Sequence, residues 1–119
     1  MKSSRGKFFM QKNLLDFIPK HNSLITFTTD KKGIVTLEVK NRGFYNRIAQ
    51  IFFKRPKVSY ITLEEFGSFI WQQIDGEKTV MEIGEKVKEH FGQKAEPLYE
   101  RLGKYINTLR RCDYILYTN

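Results

Sequence analysis

The sequence predicts an α+β fold in which a three-stranded antiparallel sheet precedes a three-helix bundle, with one extra short amphipathic helix set into the sheet portion. Three observations predict it. β-branched and aromatic residues crowd residues 23–39 and 57–61. Apolar residues recur at helical spacing from Thr62 onward. Short Gly- and Pro-containing turns punctuate the chain between these segments. At 119 residues and 40% apolar content there is room for one core. The expected organisation is a single domain: a basic N-terminal extension over 1–22, a sheet portion over 23–61 with the inserted helix at 44–55, and the helical portion over 62–119.

Met1 to Gln11 reads as a loose basic tail, and His21, after Pro19 and Lys20, as part of a loop. Ser23 to Val39 gives two β-branched runs around Asp30-Lys31-Lys32-Gly33, the pattern of a β-hairpin. Gly33 takes a positive φ at little cost, and the Asp30 carboxylate can accept from amides ahead of it. Phe44, Tyr45, Ile48, Ile51 and Phe52 lie on one helical arc, opposite Asn46, Arg47, Gln50 and Lys54. Pro56 ends that helix, and Lys57 to Ile61 is the third strand.

Two helix starts carry the capping-box signature, Thr62-Leu-Glu-Glu65 and Thr79-Val-Met-Glu82. The first helix has a stripe of Leu63, Phe66, Gly67, Ile70 and Ile74, flanked by Phe69 and Trp71, and Asp75-Gly76 turns the chain after it. The second has Val80, Ile83, Gly84, Val87 and Phe91, with Gly92 placed as its C-terminal cap. The third begins near Pro97 and aligns Leu98, Leu102, Tyr105, Leu109 and Cys112, flanked by Tyr99 and Ile106. Extended residues Tyr114 to Tyr117 close the series. Three strands, three helices and a last extended stretch make the expected architecture winged-helix-like.

The formal charge of +8 is unevenly placed. Met1 to Lys57 carries 13 Lys and Arg against 3 Asp and Glu, whereas Val58 to Asn119 carries 8 against 10. A basic first half points to an anionic partner or to a solvated face. The single cysteine cannot form an internal disulfide, no apolar run after the first basic residues resembles a signal peptide, and no stretch reaches bilayer-spanning length. The expectation is a cytoplasmic protein.

Catalytic and metal sites are not expected. His21, His90 and Cys112 are scattered, with no nucleophile beside a base and no ligand spacing for a metal. Cys112 lies on the apolar stripe, where a small core residue is expected, and His90 falls near a helix C-terminus, where its dipole contact suffices. Gly43, Gly67, Gly84 and Gly103 are isolated; the last three sit in helices, where close packing is the usual reason, and none builds a phosphate-cradling loop. No cofactor is implied.

The run from Ser59 to Ile83 resembles the PqqD family, at Leu63, Ile70, Trp71, Asp75, Gly76, Thr79, Val80, Glu82 and Ile83. The likeness spans roughly Lys57 to Ile115, and each matched residue also has a structural task. The resemblance implies a recognition domain for a ribosomally made precursor peptide, working beside a radical-SAM or similar modifying enzyme. In such domains the leader peptide joins the sheet as an extra strand between the third strand and the third helix, here Val58 to Ile61 and Leu98 to Arg111. An exposed strand edge offers main-chain hydrogen bonds to any extended peptide, and neighbouring side chains select among sequences. The peptide-binding residues expected are Val58, Ser59, Tyr60, Ile61, Arg101, Lys104, Tyr105 and Thr108. Arg101, Lys104, Thr108 and Arg111 form one polar row beside the apolar stripe, which selects acidic or polar leader side chains or is simply solvated. Tyr60 and Tyr105 add flat apolar contact, or Tyr105 is a core residue with its hydroxyl at the rim.

The long basic first half, including Phe44 to Arg55, departs from the compact family pattern. It contacts the enzyme, the peptide or an anionic membrane surface, or it caps the core. DNA binding is the rival reading, because the third helix holds Arg101, Lys104, Arg110 and Arg111. Against it, Glu96 and Glu100 stand at the start of that helix, in the net-acidic half. The strand edge that accepts a peptide would also accept a second copy, so both monomer and dimer remain open.

Overall fold

The computed structural model describes residues 13–40 and 58–119. Their elements, in order, are β1 (Pro19–His21), β2 (Thr26–Thr29), β3 (Val35–Lys40), β4 (Val58–Thr62), α1 (Glu65–Gln73), α2 (Val80–Phe91), α3 (Leu98–Arg111) and β5 (Ile115–Tyr117). The class is α+β, with a three-stranded antiparallel sheet and three helices, as expected. The expected helix over 44–55 lies outside the described residues. The chain divides into two compact units, Asn22–Trp71 and Met1–His21 with Gln72–Asn119.

In the first of these, β3 is central in the order β2-β3-β4. The hairpin between β2 and β3 closes as its turn residues require. Gly33 has a φ of 84°, and Asp30 Oδ1 accepts from the amides of Lys32 and Ile34 at 2.8 and 2.9 Å. One sheet face carries Val35, Leu37 and Leu63, all buried, along with Phe66, Ile70 and Trp71 from α1 as the apolar centre of the unit. Each such side chain contributes about 1.5–3 kcal/mol when fully buried. The Trp71 ring meets the half-exposed Phe27 of β2 edge-on, 5.6 Å between centroids.

The join between β4 and α1 departs from the expected capping box. Thr62 is the last residue of β4, and its hydroxyl lies 3.2 Å from the Thr36 hydroxyl across the ladder. The helix starts only at Glu65, where the Ser68 amide donates to the Glu64 carbonyl. Strand pairing held Thr62 and displaced the start. The ladder itself ends through a side chain. Leu63 N–H donates to Val35 C=O at 2.8 Å, whereas the reciprocal bond is replaced by the buried Ser68 hydroxyl. That hydroxyl accepts from Val35 N–H at 2.9 Å and donates to Leu63 C=O at 3.1 Å.

In the second unit, α2 has the expected box: Thr79 Oγ1 accepts from Glu82 N–H, and Glu82 Oε1 from Thr79 N–H. Gly92 ends α2 with a φ of 60°. Val80, Ile83, Val87, Leu98, Leu102, Ile106 and Leu109 are buried. Ile106, expected on the flank of α3, is in this core, and Tyr105, expected on its stripe, is only partly covered. α2 approaches α3 closely at Gly84, where an added Cβ would stand 2.8 Å from a Tyr99 ring carbon and 3.1 Å from Leu102 Cδ2.

Two further expectations are corrected here. His21 lies in β1, not in a loop, because β1 pairs antiparallel with β5 in the register Pro19–Tyr117, Lys20–Leu116 and His21–Ile115. Cys112 is exposed, not a core residue. Helical spacing had extended the apolar stripe past the end of the helix; α3 stops at Arg111, Cys112 is its cap, and Asp113 turns the chain with a φ of 62°.

Candidate functional site

β4 lies at the edge of its sheet, and antiparallel geometry determines where its backbone groups point. The bond from Leu63 N–H to Val35 C=O makes that a hydrogen-bonded pair. Alternation along the ladder then makes Ile61–Leu37 and Ser59–Val39 bonded pairs, and Tyr60–Glu38 and Thr62–Thr36 non-bonded ones. The N–H and C=O groups of Val58, Tyr60 and Thr62 therefore point away from β3. Among the described residues no strand pairs with that side. Three outward residues on one edge form a short ladder template for an extended chain.

The side chains of β4 alternate between faces. Ser59 and Ile61, both half-buried, share the face of Val35 and Leu37, whereas Val58, Tyr60 and Thr62 stand on the opposite face with Thr36, Glu38 and Lys40. On that outer face Glu38 is bonded on both sides. Its Oε1 accepts from the Thr26 hydroxyl of β2 and its Oε2 from the Tyr60 hydroxyl of β4 at 3.3 Å. Tyr60 nonetheless remains 69% exposed. The Thr26–Glu38–Tyr60 row escaped sequence reasoning, since only the register brings these residues side by side.

Of the eight peptide-binding residues expected, Val58, Ser59, Tyr60 and Ile61 are together in β4, in one unit, and Arg101, Lys104, Tyr105 and Thr108 are on α3, in the other. The polar row on α3 is not uniformly solvated. Arg101 is half-buried and donates from its guanidinium to the Lys94 carbonyl at 2.8 Å, holding the turn that precedes the helix. Thr108 is exposed, and its hydroxyl donates to the Lys104 carbonyl one turn back at 2.8 Å. Lys104 is 3.9 Å from Glu100 in an exposed pair of little energetic weight. Tyr105 is half-buried, and Arg111 is exposed. Arg110 is 3.5 Å from Asp113 and lies over the Tyr117 ring at 5.7 Å. Arg101 and Arg110, two of the four cations that suggested a DNA-reading helix, thus have tasks inside their own unit.

The turn between α1 and α2 belongs to the most strongly patterned stretch of the sequence. Gly76 has a φ of 80°, and its amide donates to the Pro19 carbonyl at 3.0 Å. Asp75 Oδ1 accepts from the amides of Glu77 and Lys78 at 2.9 and 2.8 Å, and its Oδ2 from the Lys78 ammonium at 2.8 Å. The Lys78 side-chain bond, then the Lys78 and Glu77 amides, hold the Asp75 carboxyl well below the usual carboxylate range. These are scaffold functions. Among the described residues there is no group of three or more His, Cys, Asp and Glu able to hold a metal, and no helix long and apolar enough to cross a membrane.

No curated protein and no solved structure matches the chain. A protein family does: the one described as Coenzyme PQQ synthesis protein D (PqqD) matches residues 54–115, just over half of the sequence, a span that includes β4, all three helices and the Asp75–Gly76 turn. The chain belongs to the PqqD family.

Proposed function

We propose that this protein is a non-catalytic peptide chaperone that binds the leader of a precursor peptide by strand addition to β4 and presents it to a radical-SAM or similar modifying enzyme. The observation that carries this reading is the edge position of β4, with the backbone groups of Val58, Tyr60 and Thr62 directed outward. Family membership supports it, as it supports the winged-helix-like reading of the sheet and helices. Ser59 and Ile61 hold the accepting strand in its sheet, while Val58 and Tyr60 meet the guest. Arg101, Lys104, Tyr105 and Thr108 of α3 are the second set of peptide-binding residues in this proposal, with Lys104 the most available cation. An extended guest needs no catalytic group and no cofactor from its host.

The test is an NMR titration of labelled protein with short peptides encoded beside its gene, and in parallel with duplex DNA. Micromolar or tighter peptide binding is expected, about 8 kcal/mol or more, with shifts centred on Val58 to Thr62. Tyr60→Pro removes an outward N–H and should weaken that binding roughly tenfold. Unchanged affinity in the folded Tyr60→Pro protein places the site elsewhere. Shifts at Arg101, Arg110 and Arg111 with DNA alone replace the proposal with a nucleic-acid function.

A further inference from the structure

Among the described residues the outer face of the sheet is polar except at Val58 and Tyr60 of β4. The ring of Tyr60 shares this face with Thr26 and Thr28 of β2, Thr36, Glu38 and Lys40 of β3, and Val58 and Thr62 of β4. That ring is tethered across the ladder by its hydroxyl bond to Glu38 at 3.3 Å, and Glu38 is itself held from the other side by Thr26. Non-bonded antiparallel pairs bring side chains closest, which is why the Tyr60–Glu38 and Thr62–Thr36 contacts form. Tyr60 keeps most of its surface in water despite this tether. A large aromatic on an open strand edge, aligned by a carboxylate already occupied by two hydroxyls, has the character of a recognition platform rather than of core.

We infer that Tyr60 is the specificity-determining residue of the strand-accepting edge, that Glu38 positions it, and that the guest residue directly opposite Tyr60 is a neutral aromatic. The inference rests on the strand-addition reading and goes further by naming what the guest carries. In strand addition the residue opposite Tyr60 shares its face, so the two side chains are neighbours. Aromatic pairs gain from ring geometry beyond the area they cover. The flanking groups argue against charge: Glu38 opposes an acidic residue and Lys40, two positions along the same face of β3, opposes a basic one. On this face Val58 is the one other apolar side chain among the described residues, and it is small beside the Tyr60 ring.

A library of random linear peptides, selected in parallel on the wild-type protein and on folded Tyr60→Ala, Tyr60→Phe and Glu38→Ala variants, tests this. The wild-type selection should enrich peptides with an aromatic at one fixed position, and Tyr60→Phe, which keeps the ring but loses its tether to Glu38, should still enrich aromatics with the broader preference expected of Glu38→Ala. Tyr60→Ala should still select extended peptides but lose that enrichment, and should bind the wild-type winners roughly fivefold more weakly. Glu38→Ala should keep affinity for extended peptides while broadening the preferred residue, a change that general loosening of the sheet would not produce. Peptides that need Tyr60's backbone, by loss with Tyr60→Pro, yet show the same profile with Tyr60→Ala overturn the assignment and leave strand addition standing. Failure of the wild type to select any peptide overturns both.

Discussion

The Ser68 hydroxyl stands between the Val35 amide and the Leu63 carbonyl, joining α1 to the end of the β3–β4 ladder. Removing it leaves a buried donor and a buried acceptor without their partner. Ser68→Ala should therefore cost about 2 kcal/mol in a urea unfolding experiment, the usual range for an unsatisfied buried group; a loss near zero would show that the two backbone groups close directly on each other. Asp75 acts through charge as well as geometry. Its folded pKa is depressed by Lys78 and by the amides of Lys78 and Glu77. The contribution is thus fully present above the unfolded aspartate value of about 3.9 and is lost as pH falls toward the folded value. Asp75→Asn retains an oxygen for the amides and loses the bond from the Lys78 ammonium. At neutral pH it should be less stable than the wild type by no more than about 1 kcal/mol, because the pair is exposed. That gap should shrink below pH 4; a gap independent of pH would mean that charge contributes nothing.

At the scale of elements, the two faces of one strand edge give opposite responses to the same substitution. Ile61 donates into the ladder with Leu37, whereas Tyr60 points its amide outward. Ile61→Pro should destabilise the fold by about 3 kcal/mol or more, and Tyr60→Pro by much less. Thermal melts of the two variants distinguish them, and equal losses would refute the assigned alternation. The helices, the hairpin turn and β4 were legible because their signals are local: Asp30 and Gly33 for the turn, Thr79 and Glu82 for the start of α2, Gly92 for its end. Thr62-Leu-Glu-Glu65 carries the same signature as the Thr79 box and does not act on it. The difference is a partner, Thr36, far away in sequence. Cys112 failed for another reason, since periodicity says which face a residue would take but not where the helix ends. For the candidate site, residue identity was legible and orientation was not: Tyr60 stands out in the sequence, but its pairing with Glu38 depends on register, and the turn-holding bond of Arg101 depends on where Lys94 falls.

At the scale of the molecule, the segment from Asp16 to His21 is secured by residues about a chain length away, and no local pattern announced it. Its bonds run in two directions. Toward the C-terminal stretch, Thr118 N–H donates to Ile18 C=O at 2.8 Å, and the Asn119 side chain accepts from Ile18 N–H and donates to Asp16 C=O. Phe17 stacks on Tyr117 with ring centroids 4.3 Å apart. Toward the helices, the Phe17 and Pro19 carbonyls accept from Val80 and Gly76. Pro19 suits this place because its partner across the ladder is Tyr117, one residue out of step with the bonded Ile18–Thr118 pair, so the missing N–H interrupts no ladder bond. The two sets of bonds are coupled through one short backbone segment: releasing one side should release the other. Deleting Tyr117 to Asn119 removes the stack and three hydrogen bonds without touching Gly76 or Val80. Hydrogen exchange at the Gly76 and Val80 amides should then accelerate at least tenfold, a change of about 1.4 kcal/mol in local opening. The Glu82 amide, held by the Thr79 hydroxyl within the same helix start, should keep its wild-type rate. Acceleration at all three amides would indicate unfolding of α2 as a whole, and unchanged rates at Gly76 and Val80 would mean that the helix side alone holds the strap in place.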